Sequence, residues 1–427
     1  MDRKLDHPLR TRLVNELHAR PSPRVTAPCH AIYLAFKEPG EAAARDRDRD
    51  IAHLAALAER HGAPKPTPGD SHYSATLGRH RVVWESHTEF VSYTAIAEGL
   101  PPRPFDPASG AIFSADWQEA APGRRVTAAM VRVAELPEDL DQIDTELAGW
   151  FRRDGLAAFF VLDRAALIAS DFRIDPDGWM RFAVFLRPGT GQGRTGRIIQ
   201  RIGEIETYRA MSMLGLVRAQ ELSHKLNALE PELTAMVDGM EDGPAETTLR
   251  RLLSIASRLE ALATQSAFRF GATRAYEAIV MNRIEVLREE RFRDRQLLSE
   301  FMSRRYDPAM RTVTSTEARL GQMLERTGRA GELLRTRVEV DRSAQNQLVL
   351  ESMDRRAELQ LRLQHTVEGL SVVAISYYAV GLLGYMAAPL AEPLGLGKTA
   401  LMALATPLVV GLVWMGLRRA KAAIHHS

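Results

Sequence analysis

Two apolar runs near the end of the chain constrain its fold more than any other feature. One extends from about Gly369 to Leu390 and the other from about Thr399 to Leu417. Each is close to the roughly 20 residues that a helix needs to cross a bilayer. A short loop, Ala391-Glu392-Pro393-Leu394-Gly395-Leu396-Gly397-Lys398, joins them. The expectation is a C-terminal transmembrane hairpin. Averages hide it: 26% charged residues and a mean hydropathy of −0.20 describe a soluble protein, because the apolar residues are concentrated at one end.

Flanking charge sets the expected orientation. Arg355, Arg356 and Arg362 precede the first run, Arg418, Arg419 and Lys421 follow the second, and the loop offers only Lys398. The positive-inside bias then places both termini in the cytoplasm and the loop outside, which in a bacterium means the inner membrane. The opening Met1-Asp2-Arg3-Lys4-Leu5-Asp6 has no apolar core behind it and does not read as a secretory signal. A single cysteine, Cys29, excludes an internal disulfide and fits a reducing compartment. A net charge of +2, with no dense basic patch, gives no argument for nucleic acid as a partner.

The remainder reads as an α+β protein. Residues 1–188 form a mixed α/β domain, 189–368 a long helical stalk, 369–417 the transmembrane hairpin and 418–427 a basic cytoplasmic tail. A first helix is expected from about Pro8 to Ala19, and others over Glu41 to His61 and Pro137 to Arg152. Strands are expected at Ala31 to Phe36, Arg81 to Trp84, Val126 to Val133 and Ala157 to Leu162. A hairpin follows, Ala169 to Ile174 with Trp179 to Leu186, turned by Asp175-Pro176-Asp177-Gly178. From Gly196 the strand signal ends, and three- and four-residue apolar spacing predicts helices over Ile198 to Leu229, Ala245 to Tyr306 and Pro308 into the membrane. Asp307-Pro308 separates the last two. An unbroken third helix of about 80 residues would be a rod of roughly 120 Å, with Gly321, Gly328 and Gly331 as places to bend.

This layout resembles CorA-type magnesium channels, which join an N-terminal α/β domain to a stalk helix, two spans and a basic tail. The resemblance implies a homo-oligomer that passes or senses cations, with a divalent cation as its ligand. Such proteins close their first span on Gly-Met-Asn. Here Gly381-Leu382-Leu383-Gly384 keeps a glycine spacing, but Tyr385 and Met386 stand in place of the methionine and asparagine, and Glu392 is the one acid in the outer loop. A second resemblance is carried by His18-Ala19-Arg20-Pro21, Trp84-Glu85-Ser86-His87-Thr88-Glu89-Phe90 and Val367-Glu368-Gly369-Leu370-Ser371-Val372-Val373-Ala374-Ile375-Ser376-Tyr377-Tyr378. In these the chain is similar to a proteobacterial family of uncharacterised membrane-anchored proteins, a domain of unknown function, which implies topology and no activity.

Along the stalk and first span a seven-residue repeat selects Ser343, Asn346, Leu350, Met353, Ala357, Gln360, Gln364, Val367, Ser371, Ala374, Tyr378, Gly381, Tyr385 and Ala388. No member of this stripe is charged, although Glu351, Asp354, Arg355, Arg356, Glu358 and Arg362 crowd the other faces. A sustained heptad calls for helix partners. It is read either as a packing seam or as the lining of a pore, where amides and hydroxyls would contact a hydrated ion.

Three further segments invite chemistry. Glu16, His18 and Arg20 lie near a helix end, and Glu85, His87 and Glu89 alternate on an expected strand, so a divalent metal held by His18, His87 and Glu89 is one reading. The other is a polar network between helix and sheet. Gly189 to Gly196 lacks the lysine of a phosphate loop and reads as a flexible joint, with Arg194 and Arg197 available to an anion. Arg45 to Asp50 reads as a solvated helix start. No Ser-His-Asp or Cys-His arrangement is visible, and no catalytic residue is assigned. The functions left open are cation passage or sensing, a membrane-anchored scaffold or signalling protein, and an anchored metal-dependent hydrolase.

Overall fold

The computed structural model describes residues 7, 9–16, 21–40, 45–391 and 398–424. In chain order, α1 (Arg10–Glu16), β1 (Cys29–Lys37) and α2 (Arg47–Arg60) precede a meander of β2 (His72–Leu77), β3 (His80–Ser86) and β4 (Phe90–Glu98). Then follow α3 (Ala115–Glu119), β5 (Arg124–Glu135), α4 (Leu140–Trp150), β6 (Ala157–Val161), β7 (Ala166–Ser170) and β8 (Met180–Leu186). The helical part comprises α5 (Gln192–Asp238), α6 (Ala245–Leu287), α7 (Leu298–Arg305), α8 (Asp307–Ala391) and α9 (Lys398–Ile424), with β9 (Glu290–Arg291) between α6 and α7. Met1–Asp242 with Arg250–Gly331 forms one compact unit, and Gly243–Leu249 with Glu332–Ser427 forms a second.

The first unit is built on a nine-stranded sheet in the order β2-β3-β4-β1-β5-β8-β7-β6-β9. Every pair is antiparallel except β5 with β8. β1 lies between β4 and β5 and is buried along its whole length, which explains its nearly continuous apolar sequence. On one face a core forms from Leu54 and Leu57 of α2, Ile143 and Leu147 of α4, and Trp117 of α3. His53 belongs to this core: its ring stacks on Trp117 at 4.0 Å, and its nitrogens meet the Tyr93 hydroxyl at 3.0 Å and the Trp117 carbonyl at 2.8 Å. The opposite side of β1 meets α5. The Thr207 hydroxyl donates to the Tyr33 hydroxyl at 3.0 Å, and a Cβ on Gly203 would stand 2.5 Å from the Tyr33 ring.

Several expectations are corrected by this arrangement. Glu85, His87 and Glu89 do not share one strand. β3 ends at Ser86, the chain turns through His87-Thr88-Glu89, and the His87 amide donates to the Phe90 carbonyl at 2.9 Å. The strand signal does not end at Gly196, since Glu290–Arg291 pairs with β6 and divides the predicted Ala245-to-Tyr306 helix into α6 and α7. The stretch from Gly189 to Gly196 is packed, with a turn up to Gly191 and the first residues of α5 after it: Thr190 donates to the carbonyls of Ala165 and Arg187, and a Cβ on Gly196 would stand 1.6 Å from the Pro23 carbonyl oxygen. Nor is the charge run at the start of α2 wholly solvated. Asp46 caps the helix, but Asp50 and the Arg45 guanidinium pair with both side chains only 5% exposed. Burial pushes the Asp50 carboxyl up to about 6 against the opposing pull of Arg45. The Asp175–Gly178 segment is a turn held by its own carboxylate, which accepts from the amides of Asp177 and Trp179.

Candidate functional site

The turn between β3 and β4 faces helices α5 and α6, and a cleft of about 730 Å³ opens there. His87, Phe90, Tyr208 and Tyr276 contribute its aromatic wall, and Leu9, Leu13 and Ile279 contribute aliphatic surface. The His87 and Phe90 rings stack at 4.3 Å, while Tyr208 and Tyr276 stack at 5.5 Å. The two pairs meet edge to face, with His87 and Phe90 lying 6.1 and 5.8 Å from Tyr208. Such edge-to-face contacts follow from the ring quadrupole.

Glu89 fixes this wall from behind. It is 1% exposed and forms an ion pair with Arg269 of α6, and the Tyr276 hydroxyl donates to its Oε1 at 3.0 Å. Burial, then the Glu89 charge, pushes the Tyr276 phenol above its ordinary range, so it remains a donor. From the other side Arg45 donates to the Ser86 hydroxyl at 3.0 Å and to the His87 carbonyl at 2.6 Å. Two half-buried arginines thus hold the turn, and sequence spacing carried no sign of Arg269 or Tyr276, which lie 180 and 187 residues from Glu89.

His18 and Glu392 lie outside the described residues, and the side chain of Glu16 is likewise not described. His87 Nε2 stands 3.8 Å from a Glu85 carboxylate oxygen. Among the described residues no three His, Cys, Asp or Glu side chains converge as a metal site would require.

Two helices, α8, whose part from Glu332 belongs to the second unit, and α9, are long and apolar enough to cross a membrane, which points to membrane association. Asn346, Met353, Gln360 and Gln364 are exposed along α8, and Tyr378 and Tyr385 further on are 71% and 76% exposed. Ser371 is half-buried and returns its hydroxyl to the Val367 carbonyl at 2.8 Å, as hydroxyls on apolar helices do. The two glycines of the first span differ. Gly381 has open space where a Cβ would project, whereas a Cβ on Gly384 would stand 2.9 Å from Cε of Met402 on α9. Gly384 therefore serves the close approach of the two helices. A groove of about 820 Å³ runs along this hairpin past Ser376, Tyr377, Tyr378, Tyr385 and Thr406. Ser376, outside the heptad stripe, is 5% exposed, and among the described residues its hydroxyl has no hydrogen-bond partner.

No curated protein matches the chain. A family model described as a protein of unknown function (DUF3422) matches residues 5–424, and the chain belongs to that family.

Proposed function

We propose that this chain is a bilayer-anchored protein that assembles with copies of itself along the uncharged face of α8. The carrying observation is that face: Asn346, Met353, Gln360, Tyr378 and Tyr385 are exposed on a single chain, in register over many turns, with no charge among them. A heptad of this length leaves its stripe uncovered unless other helices meet it. Arg418 and Arg419 after the second span favour cytoplasmic termini, and the sheet-bearing unit with them, at the inner membrane of a bacterium.

Cysteine cross-linking tests the assembly. The one native cysteine, Cys29, is fully buried, and burial pushes its thiol up to about 12, so it stays silent. Gln360→Cys on the stripe should form disulfide-linked dimers in native membranes, and Arg362→Cys on the neighbouring face should not. Equal cross-linking at both positions, or a monomer in mild detergent, would end the proposal.

A second reading, passage of hydrated cations, is favoured by the amide and hydroxyl side chains of Asn346, Gln360, Gln364, Ser371 and Tyr378 on the same stripe. Liposomes holding the assembled protein should then conduct divalent cations, and Tyr378→Arg should abolish the flux with assembly intact. Assembly without flux leaves the hairpin as an anchor for a scaffold.

A further inference from the structure

We propose that the cleft beside the β3–β4 turn binds a small molecule in which a planar ring carries an acidic group. The proposal does not rest on self-association along α8; its residues all belong to the sheet-bearing unit. Four observations carry it.

The first is size. About 730 Å³ falls within the roughly 300–1,000 Å³ of clefts that enclose metabolite-sized ligands. The second is the wall. His87, Phe90, Tyr208 and Tyr276 form two stacked pairs whose planes cross at 85° for His87–Tyr208 and 76° for Phe90–Tyr208. Phe90 is 1% exposed and backs the wall, so the half-buried rings of His87, Tyr208 and Tyr276 present its aromatic surface, and Leu13 and Ile279 add aliphatic surface. A flat ring gains more from such a wall than a flexible chain does, because stacking orders few rotatable bonds on either side.

The third is rigidity. The wall is locked before any ligand arrives, by Glu89 between Arg269 and Tyr276 and by Arg45 on the His87 carbonyl. A prefolded wall avoids the ordering cost that weakens binding. The fourth is charge. Arg47 is the one arginine, lysine or carboxylate side chain among the described residues lining the cleft. Among the described residues it has no acidic partner, and the hydroxyls of Ser71 and Thr88 stand in the same lining. Two carboxylates stand behind the lining: Glu89 is buried and neutralised by Arg269, and Glu85 is held 3.8 Å from His87 Nε2. A cationic ligand would meet Arg47 and no carboxylate among the described lining residues, whereas an acid group gains a charge-assisted contact from a guanidinium that is otherwise solvated. The ring lies against Tyr208, and the acid group faces Arg47.

Saturation-transfer NMR on the full chain in nanodiscs tests this with four probes. Phenylacetate and adenosine monophosphate carry the ring with a carboxylate or a phosphate. Adenosine carries the ring alone, and phenethyltrimethylammonium carries a ring with a cation. The expected result is saturable binding of at least one acid probe, weakened tenfold or more by Arg47→Gln. Tyr208→Leu should abolish it, and Tyr208→Phe, which keeps the ring and the fold, should retain it. Binding of phenylacetate alone identifies a carboxylate ligand, and binding of the nucleotide alone a phosphate ligand. The proposal is overturned if neither acid probe saturates, if the ammonium probe binds more tightly than both, or if Arg47→Gln leaves the acid affinity unchanged.

Discussion

Glu89 shows how one side chain changes meaning between sequence and structure. Beside His87 it looks like half of a metal site; folded, it is 1% exposed and committed to Arg269 and Tyr276. Removing one member of a buried ion pair leaves the other charge uncompensated, at a cost of about 3–5 kcal/mol, whereas replacing both with apolar groups is often neutral. Glu89→Ala should therefore lower the thermal midpoint sharply, and Glu89→Met with Arg269→Met should recover most of the loss in the same calorimetric scan. His80 gives a pH signature. Its imidazole is pushed down from 6.5 to about 4 by burial first and by Arg79 second, and its ring meets that of His30 at 6.2 Å. Between those two values the unfolded chain binds the proton and the folded chain does not. The contribution is therefore complete above about pH 6.5 and lost as pH falls through about 4. Unfolding followed by circular dichroism should show on the order of 3 kcal/mol lost across that window, and His80→Gln should flatten the decline.

At the scale of elements, glycine decides how closely helices approach their neighbours. The start of α5 passes so near the chain at Pro23 that a Cβ on Gly196 would fall 1.6 Å from a backbone oxygen. Backbone cannot rotate away as a side chain can, so Gly196→Ala should displace α5 from the sheet and destabilise the unit by about 1–3 kcal/mol or more. Gly191, with no contact at its Cβ position, should accept alanine with a midpoint close to that of the native protein. Much at this scale was legible. The strands at Ala31 to Phe36 and Val126 to Val133, the α2 and α4 helices, and the break before Asp307 follow from local periodicity and proline chemistry. β2 and β4 were not, because Tyr73, Ala75 and the mixed residues of Phe90–Glu98 gain strand character from pairing with β3 and β1 rather than from their own pattern. β9 is only two residues long and exists because β6 has a free edge for it.

For the whole molecule, the two compact units separate the chemistry of the chain. The sheet-bearing unit reaches Gly331, and the segment from Glu332 onward carries the apolar helices. A chain ended at Gly331 should keep a cooperative thermal transition and leave the membrane fraction, whereas recovery of the shortened chain in the membrane pellet would show that the first unit has its own attachment. The uncharged stripe and the cleft would then be separable, the first removed with α8 and the second retained.

The sequence by itself determined the class of elements, the apolar hairpin and the charge-free face of the stalk, because these depend on composition and on periods of 2, 3.6 and 7 within one segment. Only the tertiary structure decided that Glu89 is buried against Arg269, that Tyr208 and Tyr276 complete a wall with His87 and Phe90, and that Gly384 rather than Gly381 carries the hairpin contact. Those facts join residues far apart in the chain. Their partners are set by which helix covers which strand, and no local pattern specifies that.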